Sequence, residues 1–173
     1  MNGSFLLRDA ILADAEIIVR HRRSMFEEMG YSDAAKNDEM DRQTLARLRR
    51  ALPTGDYRGW LVENDAEEVI AGAGLSVVTL LGKPFNPAGT YGYLMSLYVE
   101  PAYRRRSIAR RLMRAMIEWS EREGLSEVKL HASLAGRSLY TELGFKQTNE
   151  MRLALGSQAV LPSSLPRGAS KTI

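Results

Sequence analysis

Between residues 14 and 29, apolar side chains recur at helical spacing (Ile17, Ile18, Met25, Met29) until Gly30 breaks the run. Residues 4–8 precede it as a short strand. A second helix is expected near 42–51, after the polar stretch YSDAAKNDEMD and before Pro53 and Gly55. Residues 58–63 and 69–80 read as two strands around a turn at Asn64 and Asp65. Residues 83–92 hold two prolines and two glycines and read as a loop. Residues 93–99 are aromatic and aliphatic and stop just before Pro101, as a buried strand running into a turn does. From Ile108 the stripe Ile108, Leu112, Met113, Met116, Ile117 and Ser120 predicts a strong amphipathic helix ended by Gly124. A strand at 127–132, a short helix at 136–143 capped by Gly144, and one or two strands within 145–155 complete the pattern. These are six to seven strands and about four helices, an α/β (α+β) composition.

Composition narrows the class. A chain of 173 residues suits one domain, and 45% hydrophobic with 26% charged residues suits a globular one. The folded domain is expected over 1–155, with 156–173 as a Ser/Pro-rich C-terminal tail. No cysteine is present, which excludes disulfides, thiolate nucleophiles and cysteine-ligated zinc, and two histidines cannot build a histidine-rich metal site. No metal is expected. Neither a leader-like N-terminus nor eighteen consecutive uncharged apolar residues occurs, so the expectation is a cytoplasmic protein without membrane partners. The net charge of +3 mildly favours anionic ligands, and the arginines are clustered.

The main cluster is the turn Glu100-Pro101-Ala102-Tyr103-Arg104-Arg105-Arg106-Ser107-Ile108-Ala109. A helix N-terminus carries partial positive charge and favours acids, yet this one opens with Arg104, Arg105 and Arg106 and continues with Arg110, Arg111 and Arg114. Its acids, Glu118, Glu121 and Glu123, lie toward the opposite end. A pyrophosphate on the free N–H groups of the first turn makes sense of that inversion, because dipole and guanidinium groups then act on one anion. A plain solvated basic face accounts for the charges equally well.

The strand, the proline and the pattern Arg104-x-x-Ser107-x-Ala109 opening a helix resemble the acyl-CoA signature of the GNAT superfamily of N-acetyltransferases, R/Q-x-x-G-x-G/A. Ser107 stands where that signature has its first glycine. Downstream, Leu139-Tyr140 followed by Leu143-Gly144-Phe145 is similar to the superfamily's L-Y-x-x-x-G-F, with Ser133 and Gly136 in place of the common asparagine and alanine. The likeness spans about residues 4–155. It implies a single-domain, mixed, mostly antiparallel sheet flanked by helices, with acetyl-CoA as co-substrate. It further implies that the backbone of Leu97, Tyr98 and Val99 pairs with the pantetheine arm. The pyrophosphate then lies over Arg104, Arg105, Arg106, Ser107, Ile108, Ala109 and Arg110, Ser133 offers a hydroxyl contact, and Tyr140 protonates the departing thiolate. The acceptor is then a small-molecule or peptide amine, with room for a homodimer.

No general base is evident. The position where some members carry a glutamate is Tyr93; Glu63 and Glu28 read as solvated acids, His131 as a proton relay or a structural residue, and His21, within RHRR, as exposed helix surface. The resemblance places the acceptor between the first two helices. There Met25, Phe26, Met29 and Tyr31 can wall a pocket, and Glu27, Glu28, Asp33, Asp38, Glu39 and Asp41 can attract a cationic amine or simply face water. Two other readings stand beside acetyl transfer. One is a non-catalytic acyl-CoA sensor. The other, a nucleic-acid-binding domain, needs basic groups spread along a surface rather than focused on one turn.

Overall fold

The structure, a computed structural model, describes residues 4–153 and 155. The expected tail at 156–173 lies outside the described residues. The chain divides into two compact units, Met1–His131 and Ala132–Ile173.

In the first unit, β1 (Leu6–Asp9) leads through a 3-10 turn (Leu12–Asp14) into α1 (Ala15–Glu28) and α2 (Ala34–Thr54). Strands β2 (Tyr57–Glu63), β3 (Val69–Thr79) and β4 (Thr90–Val99) follow, then a 3-10 turn (Pro101–Tyr103), α3 (Ile108–Arg122) and β5 (Val128–Leu130). One sheet runs in the order β1-β2-β3-β4-β5, antiparallel throughout except that β5 lies parallel to β4. Alternation of side chains across the pleat gives the sheet two buried faces. Tyr57 and Leu61 meet Ala15, Ile18, Leu48 and Ala51 of α1 and α2. Trp60, one residue out of phase, meets Trp119 of α3 edge-on at 5.7 Å. The α3 stripe is buried as its spacing predicts, with Leu112, Met113 and Met116 fully enclosed and the Ser120 hydroxyl donating to the Met116 carbonyl at 2.8 Å. Arg8 ties β1, β2 and the start of α1 together through Asp14 (2.7 and 2.9 Å) and Glu63 (2.6 Å). Its hydrogen bonds hold the Asp14 carboxyl below the usual carboxylate range. Gly74 lets the Tyr57 ring cross the sheet, since a Cβ there would sit 1.7 Å from its hydroxyl.

Three expectations are corrected. The helix anticipated at 42–51 begins at Ala34, because Asp33 caps it by accepting from the Lys36 N–H at 3.2 Å, and the polar stretch forms its first turns. Its i,i+3 and i,i+4 contacts, Arg42 and Gln43 to Glu39, support a helix with little apolar content. The one or two strands expected in 145–155 are absent among the described residues, so the sheet has five strands rather than six to seven. Met151, Leu153 and Leu155 alternate as a strand would, but they are 95%, 82% and 80% exposed, and alternation specifies a strand only where one face is buried. The mixed α/β class with four α-helices holds, the fourth being α4 (Arg137–Glu142) in the second unit.

The third correction concerns His21. It lies three residues after Ile18 on the apolar stripe of α1 and is 4% exposed, tilted against the Tyr98 ring at 5.2 Å. Neither ring nitrogen has a hydrogen-bond partner, and a void of about 10 Å³ adjoins it beneath Gly72, Ser96 and Tyr98. Burial lowers its pKa to about 4. Glu100 Oε1, 3.5 Å from Nε2, favours the charged ring, but enclosure outweighs one carboxylate that is itself partly solvated. The unfolded state therefore binds a proton below about pH 6.5 that the native state refuses until about pH 4, and stability falls as pH drops through that interval. On thermal melting, acidification from pH 7 to pH 5 is expected to destabilise the protein by on the order of 1–2 kcal/mol through this residue. His21→Gln should flatten that part of the profile; an unchanged slope in the variant would assign it to other groups.

Candidate functional site

The ladder between β4 and β5 is three residues long: Gly92 opposite Val128, Tyr93 opposite Lys129 and Leu94 opposite Leu130. Beyond Leu94, β4 continues to Val99 with β3 the one strand beside it among the described residues, Leu97, Tyr98 and Val99 facing Ala73, Gly72 and Ala71. A bulge at Gly74/Leu75 in the β3 register places Met95 at the point of separation, and extra residues of this kind increase local twist. The result is a fork with its closed end at Leu94 and one edge of β4 available for pairing. That edge runs into the arginine turn.

The turn leaves β4 at Glu100, passes the 3-10 segment and starts α3 at Ser107. Arg105 and Ser107 both have left-handed backbones, with φ of 62° and 60°. Left-handed residues in a turn aim successive N–H groups toward one side, the basis of anion-binding nests. Non-glycine residues adopt this conformation at a cost of roughly 1–2 kcal/mol each. The Ser107 hydroxyl makes no capping bond, and no acid lies in the first turn of α3.

The arginines divide by partner. Arg104 donates from Nε to the Val99 carbonyl at 2.9 Å and from NH2 to both oxygens of Glu28 at 2.7 and 2.8 Å, and lies 5.6 Å over the Tyr98 ring. It braces the turn against the end of α1. Tyr98, buried, also donates to Glu28 at 3.2 Å, and enclosure raises its phenol pKa. Arg105 and Arg106 are exposed, Arg106 stacking 5.5 Å over Tyr103. Ile108 is buried, Ala109 and Arg110 half-buried. Arg111 donates to the Phe5 carbonyl at 3.2 Å.

On the α1 and α2 side of the sheet, the Tyr93 hydroxyl is hydrogen-bonded to His131 Nδ1, one pleat before the closed end of the fork. His131 is thus paired with the tyrosine that stands at the glutamate position of the resemblance, a partnership that sequence spacing across 38 residues does not reveal. One residue past the closed end, Arg22 of α1 donates from NH1 to the Met95 carbonyl at 2.9 Å and to Ser96 Oγ at 3.0 Å. Sequence reasoning passed over Arg22. Its signal was its place one residue after a buried histidine, at the edge of the apolar stripe.

The acids expected to attract a cationic amine are otherwise engaged. Arg23 binds Glu27, Asp38 and Asp41, while Lys36 binds Asp33, Arg42 binds Glu39, and Arg104 binds Glu28. Glu63 is held by Arg8. Phe26 and Tyr31 meet edge-on at 5.7 Å, and Met29 is about half exposed.

In the second unit, Tyr140 on α4 is buried, and burial raises its phenol pKa. Phe145 meets it edge-on at 5.9 Å, and Gly136 is needed because a Cβ there would come within 2.8 Å of the ring. The Ser133 hydroxyl accepts from the Gly136 N–H at 3.2 Å, at the entry to α4.

The Acetyltransferase (GNAT) family matches residues 19–145. No curated protein matches the sequence. A GCN5-related N-acetyltransferase from Ralstonia eutropha superposes with a TM-score of 0.81 at 32% identity, over 88% of this chain and 99% of that one. A protein described as a predicted acetyltransferase, from Clostridium acetobutylicum and solved with acetyl-CoA, gives 0.81 at 23% identity over 88% and 96%. An aminoglycoside N-acetyltransferase solved with CoA gives 0.66 at 17% identity over 91% and 97%. The last two likenesses are of fold. Among the described residues no helix is long and apolar enough to cross a membrane, and no group of three or more metal-ligating side chains is assembled.

Ser107→Gly should relieve the left-handed strain, partly offset by the greater freedom of glycine in the unfolded chain. The expected outcome is a melting temperature about 1–3 °C higher. A lower one would mean that the hydroxyl or Cβ makes a stabilising contact.

Proposed function

Because the chain belongs to the GNAT acetyltransferase family, we propose that it transfers an acetyl group from acetyl-CoA to a primary amine by direct attack within a ternary complex. The observation that carries this reading is the fork: an unpaired β4 edge that leads directly into a basic, left-handed turn at a helix N-terminus. The edge suits the amide groups of a pantetheine arm, and the turn suits a pyrophosphate. Leu97, Tyr98 and Val99 then hold the arm. The N–H groups of residues 105–109, with Arg105, Arg106 and Arg110, hold the phosphates, and Arg104 positions the turn rather than the ligand.

The thioester supplies an acyl carbon bonded to a good leaving group. A neutral amine forms the C–N bond as the C–S bond breaks, so one proton must leave nitrogen and one must reach sulfur. Tyr93 accepts the first while passing its own proton to His131 Nδ1, and exposed His131 returns it to water. Tyr140 donates the second, as the family resemblance implies. Burial raises its phenol pKa, which favours the neutral hydroxyl that such a donor requires.

Acetyl-CoA at a hundred times its dissociation constant should stabilise the protein by about 2.7 kcal/mol, raising the melting temperature by about 5 °C or more. No shift at millimolar acetyl-CoA would overturn the cofactor assignment. A shift without acetyl-CoA consumption on any amine would leave an acyl-CoA-binding protein.

Tyr140→Phe keeps the ring and removes only the hydroxyl. If Tyr140 is the acid, kcat drops at least about tenfold with acetyl-CoA affinity nearly intact. If the hydroxyl only satisfies the core, stability falls by about 1 kcal/mol and kcat does not change.

A further inference from the structure

Among the described arginines of α1 and α2, Arg22 is the half-buried one without a carboxylate partner. The six acids expected to attract an amine, Glu27, Glu28, Asp33, Asp38, Glu39 and Asp41, are each paired with arginine or lysine, so none of them offers an uncompensated carboxylate to an incoming ammonium. Arg22 is the opposite case. It is half-buried, its bonds go to a carbonyl and a hydroxyl, and Phe26 lies 4.9 Å beneath its guanidinium. None of these neutral partners discharges it. Both bonds leave from NH1, and its remaining donors are not among the buried unpartnered atoms, so they reach solvent. Enclosure also works against its charge, an effect a bound anion would reverse.

Position gives this cation its meaning. Met95, whose carbonyl it holds, is the first β4 residue beyond the last β4–β5 pair. The fork closes at this point. Resting on the acetyltransferase reading, we propose that Arg22 is the anion anchor of the acceptor site, and that the acceptor amine carries a carboxylate or phosphate a few atoms from its nitrogen. The planar fork of a guanidinium matches either group bidentately, and Phe26 and the Met95 carbonyl fix its orientation.

Matched acceptors test it: an α- or β-amino acid against its carboxamide, and phosphoethanolamine against ethanolamine. The wild-type protein should favour the anionic member of at least one pair by about tenfold or more in kcat/KM, and the pair that discriminates tells carboxylate from phosphate. Arg22→Gln should bring that pair close to parity, chiefly through a higher KM for the anionic member, with Arg22→Lys in between. Equal use of both members by the wild type overturns the proposal, and so does a loss in Arg22→Gln that is the same for both, the mark of a residue that merely braces the bulge. Calorimetric binding of the same pairs to the CoA-loaded protein reads discrimination without turnover. Binding that discriminates but no acetylation of any amine would sink the acetyltransferase reading and leave the anchor standing; binding without discrimination sinks the anchor.

Discussion

The candidate site depends on the ladder between β4 and β5 ending after three residues. A sheet normally satisfies every interior backbone group, and an edge inside a fold is costly unless something else pairs with it. Here β3 holds β4 along its whole length, so β4 can lose its other neighbour without losing its place. The bulge at Met95 falls at the parting point, and the side chains that brace it come from elsewhere: Arg22 from α1 on the Met95 carbonyl, Arg104 from the turn on the Val99 carbonyl. Both carbonyls are capped by arginine, and Leu97 lies between them along the strand. The opening is therefore a built feature, held at each end by a charged donor.

Much of this was legible in the sequence, for identifiable reasons. The α3 stripe and its glycine stop, the β2–β3 hairpin and the turn after Pro101 are local signals, set by periodicity and by residues with restricted backbones, and the structure reproduces them closely. The two-motif resemblance gave the family and the mixed α/β class correctly, while the sheet has five strands among the described residues instead of six to seven. What failed was non-local. His21 looked exposed because arginines flank it, yet a residue's helix face is set by its phase with Ile18 and not by its neighbours in sequence. The first turns of α2 looked like loop because their helical support comes from a cap and ion pairs rather than apolar spacing. The 145–155 segment looked like strand from alternation alone, which says nothing about whether a partner is there.

The candidate site shows the same division more sharply. The charge order of the arginine turn suggests an anion site, with a solvated basic face as the alternative. It does not say which arginine does what. Arg104 opens the recognised motif, but Glu28, 76 residues away, claims it. Tyr93 and His131 are 38 residues apart and meet only because β4 and β5 are parallel neighbours in register. Arg22 carried no sequence signal at all beyond its helix phase.

The electrostatic pattern is consistent from one end of the fork to the other. The acids expected to attract an amine are paired with arginines and lysines, while along the opening of β4 stand Arg22 at the closed end and Arg105 and Arg106 at the mouth, with no carboxylate bonded to them among the described residues. Uncompensated like charges lower the stability of a folded chain, most of all where solvent is partly excluded, as it is at Arg22. The left-handed backbones of Arg105 and Ser107 add a cost of the same sign. Both costs are concentrated along one edge. On the proposed reading, an anion at the turn and an anionic acceptor at the closed end would each offset the uncompensated cations beside them, so the charges that lower the stability of the free protein are the ones that would favour binding.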